Sequence, residues 1–229
     1  CDLVILSLPI PALLAPESTL LEAIPESAVV TDVGSVKQPV LEVWRSLHPR
    51  FVASHPMAGT ASAGVEAGQT GLFRGRPWIA TPEAGTDPTA VEVVRTLAHD
   101  LGSQWHTASA EQHDQAVALI SHMPVLVSAA LLRTAGDERD PEIRQLAQSL
   151  ASSGFADSTR IGGGNPDLGV AMASSNSAAV LKALAAYRWS LEQLEDAVLR
   201  NNWQQLHREL QRTQSLRPDY QQSSPAGAP

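Results

Sequence analysis

The sequence AVVTDVGSVKQPVLEVW, residues 28–44, decides the fold class because it passes from a strand pattern through a loop to a helix pattern. Residues 28–31 are each apolar or β-branched, which is typical of a buried strand in a parallel sheet. A short helix is predicted over residues 39–47, with Pro39 in its first turn, where the missing N–H is tolerated. Residues 32–37 connect the two segments. The stretch therefore predicts one strand–loop–helix unit of an α/β fold.

The same alternation continues on both sides of this unit. Further strands are predicted at residues 3–8, 51–54, 78–81 and 104–107. Helical patterns separate them: one runs through the leucines of residues 13–21, and another begins at Asp87-Pro88 and ends at Gly102. Strands that alternate with helices at this spacing predict a doubly wound sheet that is parallel or mostly parallel.

The pattern becomes entirely helical after residue 108. Ser109 and Gln112 form a capping box, which predicts a helix to about Thr134 with a kink at Pro124. Asp140-Pro141 begins another helix, predicted to end at Gly154. Two more helices are predicted to follow Asn165-Pro166 and Asn202.

A long helix with one apolar stripe is predicted from residue 180 onward. Its apolar residues recur at spacings of four and three: Val180, Leu184, Tyr187, Leu191, Leu194 and Val198. The stripe fits two interpretations, packing inside one subunit or contact between subunits. The second part has few residues with which to bury itself, and this favours the subunit interface.

These patterns define the predicted organisation of the chain. Residues 1–108 are predicted to form an α/β part, and residues 109–216 a helical part. Residues 217–229 are rich in Ser, Pro, Gly and Ala, so they are predicted to be a disordered tail. The chain begins without Met on a strand-like run, which suggests a piece of a longer protein.

Composition excludes several functional classes. A formal net charge of -8 without a basic cluster argues against a nucleic-acid partner. We find no apolar run of about 20 residues in the sequence, so no membrane span is expected. Cys1 is the single cysteine, which excludes an intrachain disulfide and makes a reducing cytoplasm the expected location.

Candidate site residues follow two of the predicted strands. Ligands of open parallel sheets bind outside the carboxyl ends of the strands. Ser35 and His55 lie in two loops at such ends, and both side chains can take part in proton transfer. A single histidine most often caps a loop, but polar groups at adjoining strand ends favour a ligand site.

Two further candidates lie in the helical part. His122 precedes the expected kink at Pro124 by two residues. Arg160 lies before the glycine-rich residues 162–164, where its guanidinium could hold a carboxylate through two hydrogen bonds. A helical histidine bonded to a carbonyl and a solvated arginine are the alternatives.

Other sites are not indicated. Gly162-Gly-Gly164 is not a dinucleotide fingerprint because it follows no strand, and no GxGxxG follows a strand in this sequence. There is no zinc-type spacing, so no metal site is expected. Ser35 and His55 could suggest a hydrolase, but the nucleophile-elbow sequence GxSxG is absent.

Several motifs together resemble those of the prephenate and arogenate dehydrogenases, and they occur in the family's order over nearly the whole chain to about residue 215. They are LSLPI (6–10), TDVGSVK (31–37), SHPMAGT (54–60), GLFRGRPWIATP (71–82), HDQAVALISHMP (113–124) and SGFADSTRIGGGNP (153–166). The combination of HPMAG, SHMP and DSTRI is specific to this family.

The resemblance implies oxidative decarboxylation of arogenate to tyrosine, or of prephenate to 4-hydroxyphenylpyruvate, with hydride transfer to NAD(P)+. It implies that His55 is the catalytic base and that Ser35 bonds near the reacting hydroxyl and the nicotinamide. It places Thr60, His122 and Arg160 at the substrate, with Arg160 on a carboxylate. It also implies that residues 1–108 are the C-terminal part of an NAD(P)-binding domain of Rossmann type. Residues 109–216 would then be a helical domain that binds substrate and forms a homodimer.

The resemblance also implies which residues meet the cofactor: Ser7, Leu8, Pro9, Ile10, Asp32 and Ser35. Gly169 and the GGGNP loop are similar to those of cyanobacterial-type arogenate dehydrogenases. This similarity favours arogenate as substrate and NADP+ as cofactor, with NAD+ as the alternative.

Two other functions compete with this one. A dehydrogenase of the β-hydroxyacid type should carry a catalytic lysine in its helical part, where Lys182 is the only lysine and has the position of a solvated residue. A dimeric module that binds a carboxylate without turnover is the non-enzymatic alternative. The absent phosphate-binding turn favours it, whereas the set of Ser35, His55, His122 and Arg160 disfavours it.

Overall fold

A computed structural model describes residues 1–59, 66 and 68–220 of the chain. Its strands are β1 (Leu3–Leu6), β2 (Val29–Asp32), β3 (Phe51–Val52), β4 (Ser54–Pro56), β5 (Pro77–Ala80) and β6 (Gln104–Thr107). The helices of the first part are α1 (Ile10–Leu14), α2 (Ser18–Ala23), α3 (Gln38–Trp44) and α4 (Pro88–Asp100). Those of the second part are α5 (Ala110–Val117), α6 (Met123–Gly136), α7 (Pro141–Leu150), α8 (Ser153–Thr159), α9 (Pro166–Ser175), α10 (Ser177–Leu199) and α11 (Trp203–Leu216).

The strands form a mostly parallel arrangement, as the sequence predicts. β1, β2 and β3 pair in parallel, β5 and β6 also pair in parallel, and β4 runs antiparallel to β5. The strand predicted at 51–54 is divided at Ala53, where the chain passes from one sheet to the other. The Ala53 carbonyl still accepts a hydrogen bond of 3.0 Å from the Thr81 N–H. The two sheets are therefore continuous through this residue.

Helices on the sheet bury two apolar clusters. α1 and α3 cover one cluster, in which the fully buried Trp44 donates from its indole nitrogen to the Leu13 carbonyl at 2.8 Å. α4 covers the other through Ala90 and Val94. The Asp87 side chain accepts from the Thr89 N–H at 2.8 Å and caps α4, as expected from Asp87-Pro88. These contacts fix the carboxyl ends of the strands.

The helical part begins with the predicted capping box of Ser109 and Gln112. Where a kink is predicted at Pro124, a π-helical segment, Ala118–His122, joins α5 to α6. Such segments are rare and are often found at functional sites. Met172 from α9 joins the cluster beneath α1, so the helical part packs directly on the α/β part.

Some predicted boundaries differ from the structure. The helix predicted to end at Gly154 ends at Leu150, and Gly154 lies inside α8, so this boundary is wrong. The helical stretch around residues 13–21 is two short helices, because the chain breaks between Leu14 and Ser18. Residues 217–220 of the predicted tail form a short 3-10 helix, and residues 221–229 lie outside the described residues.

One helical run, Ala110–Gly136, is long and apolar enough to cross a membrane by length and composition, although the sequence analysis predicts no such span. The run also carries buried polar side chains that hydrogen-bond to protein groups, including His113, Asp114 and Ser128. Polar residues are costly in hydrocarbon, and core helices of soluble proteins also meet this test. The contacts of these side chains fit a helix packed within the protein.

The apolar stripe of α10 is only partly covered by its own chain. Val180 is buried in a cluster that includes Leu184 and Met123. Leu191 and Val198, on the same face farther along the helix, are 49% and 50% exposed. The two interpretations of the stripe thus apply to different halves: the first half packs inside the subunit, and the second half presents an apolar surface.

Candidate active site

The loop after β2 is fixed from beneath by the carboxylate of Asp32. Asp32 Oδ2 accepts from the Gly34 N–H at 2.9 Å, and Oδ1 accepts from the Ser54 N–H at 3.1 Å. A side chain added at Gly34 would meet Asp32 Oδ2 and Leu13 at 2.9 Å, so the loop has no room for a larger residue there. The same carboxylate therefore positions both the Ser35 loop and the start of β4.

Lys37 completes this support from inside the protein. Its ammonium forms an ion pair with Asp32 Oδ2 and donates to the Ser54 carbonyl at 2.7 Å. Burial lowers the pKa of Lys37, and the neighbouring charge of Asp32 opposes the shift. Because both partners are fully buried, removing one would leave an uncompensated charge.

These contacts give Asp32 a role different from the cofactor contact that the resemblance implies. Its side chain is fully buried and bonds to Lys37, Gly34 and Ser54. The Asp32 carboxylate would therefore act on a cofactor indirectly, by fixing the loop that carries Ser35.

His55 lies on β4 and meets a histidine of the helical part. Its Nδ1 lies 2.9 Å from Nε2 of His113, and the two rings meet edge to face. His113 Nδ1 in turn lies 2.7 Å from Oδ1 of Asp114. The sequence analysis includes His113 and Asp114 in a family motif but assigns them no role.

Asp114 is held by the start of α3. Its Oδ1 accepts from the Lys37 N–H at 2.7 Å, and its Oδ2 accepts from the Gln38 N–H at 2.9 Å. N–H groups at a helix start have no partner within the helix and favour a negative charge. The α/β part thus fixes a carboxylate of the helical part beside the His55–His113 pair.

The surroundings of His55 favour its neutral form. Burial lowers the pKa of His55 well below its ordinary value, and the positive charge of Lys37 adds to the effect. Protonation of His113 or His122 would act in the same direction. At neutral pH the ring is therefore unprotonated on one nitrogen, which is the state that a general base requires.

Asn176, at the start of α10, determines the proton position on His122. Its Nδ2 donates to the Asp114 carbonyl at 2.7 Å and lies 3.2 Å from His122 Nδ1. The amide nitrogen is a donor, so Nδ1 of His122 is the acceptor, and the neutral ring carries its proton on Nε2. Burial also lowers the pKa of His122, with the Asp114 charge opposing, which keeps the ring neutral.

Two buried polar atoms of this region lack a protein partner. Among the described residues, the buried side-chain atoms without a hydrogen bond are Ser35 Oγ, His122 Nε2 and Thr81 Oγ1. The Ser35 backbone lies near the His122 ring and raises the pKa of His122, which opposes the effect of burial. His122 Nε2 itself forms no hydrogen bond. Buried polar groups in native proteins nearly always have partners. Ser35 and His122 are therefore poised for the polar groups of a ligand.

The end of β1 is exposed next to this region. Ser7, Leu8 and Pro9 are exposed, so they are accessible to a cofactor at the carboxyl ends of β1 and β2. Ile10 is buried in the cluster beneath α1, where its side chain serves packing. The residues present thus fit a nicotinamide cofactor through Ser7 to Pro9 and the unpartnered Ser35 hydroxyl.

Arg160 lies on the short turn that follows α8 in the helical part. It begins a 3-10 turn, Arg160–Gly163, that packs against α6, and its side chain is exposed. The Gly162 N–H donates to Ser128 Oγ at 2.9 Å, which holds the turn on α6. No ion pair of Arg160 occurs within the described residues. The structure thus brings together Ser35, His55 and His122. The role of Arg160 stays a prediction, and Thr60 lies outside the described residues.

Two other candidate chemistries receive no support in this region. Within residues 1–59, 66 and 68–220, no group of three or more His, Cys, Asp or Glu is placed to hold a metal ion. Lys182 is exposed on α10 beside Leu119, in a small hollow that also contains Ala179 and Ala186. Lys182 is thus a solvated residue, as the sequence analysis predicts.

Comparison with known proteins identifies the family. Residues 1–107 match the family profile of the prephenate dehydrogenase nucleotide-binding domain, and residues 109–212 match that of the prephenate dehydrogenase dimerization domain. The chain belongs to the prephenate dehydrogenase family. Its α/β part is therefore a nucleotide-binding domain of Rossmann type, and its helical part is a dimerisation domain, as the sequence predicts.

Individual relatives support this assignment. The chain is 31% identical to the cyclohexadienyl dehydrogenase of Zymomonas mobilis over 200 residues, which are 86% of this chain and 68% of that protein. Synechocystis arogenate dehydrogenase has a similar structure, with a TM-score of 0.81 and 41% identity over 96% of this chain and 79% of that one. The prephenate dehydrogenase of Aquifex aeolicus, solved with hydroxyphenyl propionate and NAD+, is also similar in structure, with a TM-score of 0.88 and 31% identity. The match covers 96% of this chain and 76% of that one.

Proposed function

We propose that the protein catalyses the oxidative decarboxylation of a cyclohexadienol acid with NAD(P)+ in tyrosine biosynthesis. Family membership supports the reaction class. The observation that carries the proposal is the pair of unpartnered buried atoms, Ser35 Oγ and His122 Nε2, in the region of His55. These groups match a ligand that offers both a hydroxyl group and a hydrogen-bond acceptor.

His55 is the proposed general base of this reaction. Its lowered pKa keeps the imidazole neutral at physiological pH, so the ring can take the proton of the substrate hydroxyl. Ser35 bonds near that hydroxyl. His122, with its proton on Nε2, donates a hydrogen bond to a substrate oxygen and thereby orients the ring.

A bound nicotinamide cofactor would supply the acceptor for the hydride of the ring carbon that carries the hydroxyl. Departure of the carboxylate as CO2 leaves its bonding electrons in the ring, which becomes aromatic and drives the reaction forward. The protein's own contribution is to remove the hydroxyl proton and hold the reacting groups in place. The exposed Ser7, Leu8 and Pro9 are the proposed contacts beside the cofactor, and Ile10 supports them from the core.

We infer that arogenate is the preferred substrate and NADP+ the preferred cofactor. The identity of 41% to an arogenate dehydrogenase, compared with 31% to a prephenate dehydrogenase, supports this choice of substrate. Prephenate with NAD+ is the alternative pair, since the Aquifex enzyme was solved with NAD+.

The remaining substrate contacts and the assembly are part of the same proposal. Arg160 binds a substrate carboxylate, and Thr60 lies near the substrate. The protein acts in the cytoplasm as a homodimer formed through its dimerisation domain. Arg160 is exposed, so its guanidinium is accessible to a substrate carboxylate.

The test is an absorbance assay for reduced nicotinamide with the full-length protein. Arogenate and prephenate are each combined with NADP+ and NAD+. We expect turnover that is fastest with arogenate and NADP+ and that falls by about 100- to 10,000-fold in His55→Gln. His48→Gln is the matched control, because His48 is also buried but bonds to Pro25 and Arg50, outside the site.

Each outcome separates the competing functions. Loss of turnover in His55→Gln but not in His48→Gln supports the assigned base. Folded protein that binds arogenate without turnover with either cofactor would instead support the carboxylate-binding module. Fastest turnover with prephenate and NAD+ would overturn the proposed specificity while preserving the reaction.

A further inference from the structure

We propose that His113 and Asp114 are positioning residues that fix the proton on Nδ1 of His55 and leave its Nε2 as the basic atom. The proposal rests on His55 acting as the base of the reaction above. It adds His113 and Asp114 to the residues of the helical part that take part in this function, alongside His122 and Arg160.

The argument begins at Asp114, whose carboxylate is held by the Lys37 and Gln38 N–H groups at 2.7 and 2.9 Å. An ionised carboxylate only accepts hydrogen bonds, so the nearby His113 Nδ1, at 2.7 Å from Oδ1, must carry a proton. His113 is almost completely buried. Nε2 of neutral His113 is then an acceptor.

The contact between the two histidines then fixes which nitrogen of His55 carries the proton. Nδ1 of His55 lies 2.9 Å from Nε2 of His113 and must donate to it. A neutral His55 with its proton on Nδ1 has its lone pair on Nε2. Among the described residues, the His55 ring hydrogen-bonds through Nδ1 to His113, which leaves Nε2 as the nitrogen for the substrate proton.

The contact also favours the state that follows proton transfer. When His55 Nε2 takes the hydroxyl proton of the substrate, Nδ1–H continues to donate to His113 while the ring becomes positive. The Asp114 charge, transmitted through the His113 dipole, stabilises this imidazolium without itself taking a proton. The interaction strengthens as positive charge develops, so it lowers the barrier more than it tightens substrate binding.

The decisive measurement is the tautomer of His55, read from ring 15N shifts and two-bond N–H correlations of the full-length protein. Signals are assigned by their loss in His55→Gln. We expect a protonated Nδ1 and an unprotonated Nε2 in the wild-type protein at neutral pH, with a coupling across the hydrogen bond to His113 Nε2. A proton on Nε2 of neutral His55, or a doubly protonated His113, would overturn the proposal.

A variant tests the cause of this state. His113→Leu removes the acceptor but leaves the contacts of Asp114 with α3. We expect the His55 proton to move toward Nε2, and kcat to fall by roughly 10- to 100-fold with KM changed by less than about threefold. His48→Leu makes the same change at a buried histidine outside the site and should alter neither.

The readouts keep this proposal distinct from the proposed function. The tautomer is measured without turnover, so an inactive protein with protonated Nδ1 would contradict the reaction and preserve the positioning role. An active His113→Leu variant with unchanged tautomer and kcat would contradict the positioning role alone. If His113→Leu does not fold, the wild-type coupling across the hydrogen bond still decides the outcome.

Discussion

Asn176 is the residue through which the helical part sets the donor atom of His122. Its amide bonds to the Asp114 carbonyl at 2.7 Å and lies 3.2 Å from His122 Nδ1. Without this amide, the His122 ring loses the contact that keeps its proton on Nε2. The buried donor atom that faces the site would then be present in only part of the molecules.

Replacing Asn176 by Ala should therefore weaken substrate binding. A hydrogen bond of this kind is worth about 1 kcal/mol, so we expect KM to rise about 5- to 10-fold with a smaller change in kcat. Steady-state kinetics measures both constants. Asn202→Ala is the control, because Asn202 caps α11 through the Gln205 N–H at 3.1 Å, and its loss should reduce stability alone. Equal KM values in all three proteins would contradict the role of Asn176.

The residues at strand ends could be predicted because topology alone brings such positions together. Ser35 and His55 lie after neighbouring strands, and the structure places them in one region with His122. His113 and Asp114 could not be assigned in this way. Their roles depend on how α5 docks on the start of α3, and a single sequence carries no direct signal for docking between distant helices. The one sequence feature that could have indicated these two site residues is that a histidine and an aspartate are adjacent directly after a capping box.

At the scale of elements, the 3-10 turn that carries Arg160 packs closely against α6 because Gly162 has no side chain. A Cβ there would lie 2.3 Å from the Ala129 nitrogen and 2.4 Å from the Ser128 carbonyl carbon. Both atoms belong to helix backbone, which cannot move aside easily. The turn must therefore separate from α6 if Gly162 acquires a side chain.

Gly162→Ala should destabilise the protein by about 1–3 kcal/mol, because the added methyl forces the turn and helix apart. It should also raise KM, since Arg160 precedes Gly162 by two residues. Urea denaturation gives the free energy of unfolding at fixed protein concentration. Gly163→Ala is the matched control in the same turn, where a Cβ would meet only Leu132 at 3.8 Å. Similar stability of both variants would show that the close approach is not required.

Element boundaries show where local patterns stop being informative. The strand β6 occurs at residues 104–107 as predicted, because a short β-branched and aromatic run lies between clear breaks. The single strand predicted at 51–54 becomes β3 and β4, because Ala53 must serve two sheets at once. Likewise, Pro124 predicts an irregular helix, but it does not predict that the irregularity is a π-helical segment that ends at His122.

For the whole molecule, the two parts are joined where the site lies. The amide groups at the start of α3 hold Asp114, and Met172 enters the core beneath α1. The site depends on this docking, because His55 comes from one part and His113 and His122 from the other. The fold class followed from periodicity, whereas this relative placement required the structure.

The uncovered half of the α10 stripe yields the last prediction, which concerns assembly. Leu191 and Val198 are 49% and 50% exposed, seven residues apart on one helix face, and they continue a face that is buried at Val180. We expect the protein to be a dimer. The double variant Leu191→Glu/Val198→Glu should dissociate it, because two unpaired carboxylates would be buried at the interface at a cost of several kcal/mol. Light scattering coupled to size exclusion measures the mass.

Ser46→Glu is the control for added charge, since Ser46 is an exposed residue at the end of α3 in the nucleotide-binding part. It should leave the mass unchanged, and circular dichroism should show that all proteins keep their helix content. Dissociation only in the double variant would place the interface on the C-terminal half of α10. A double variant that stays dimeric would mean that this half faces solvent and that subunits meet elsewhere on the dimerisation domain. The stripe would then act only in packing within the subunit, through Val180 and Leu184.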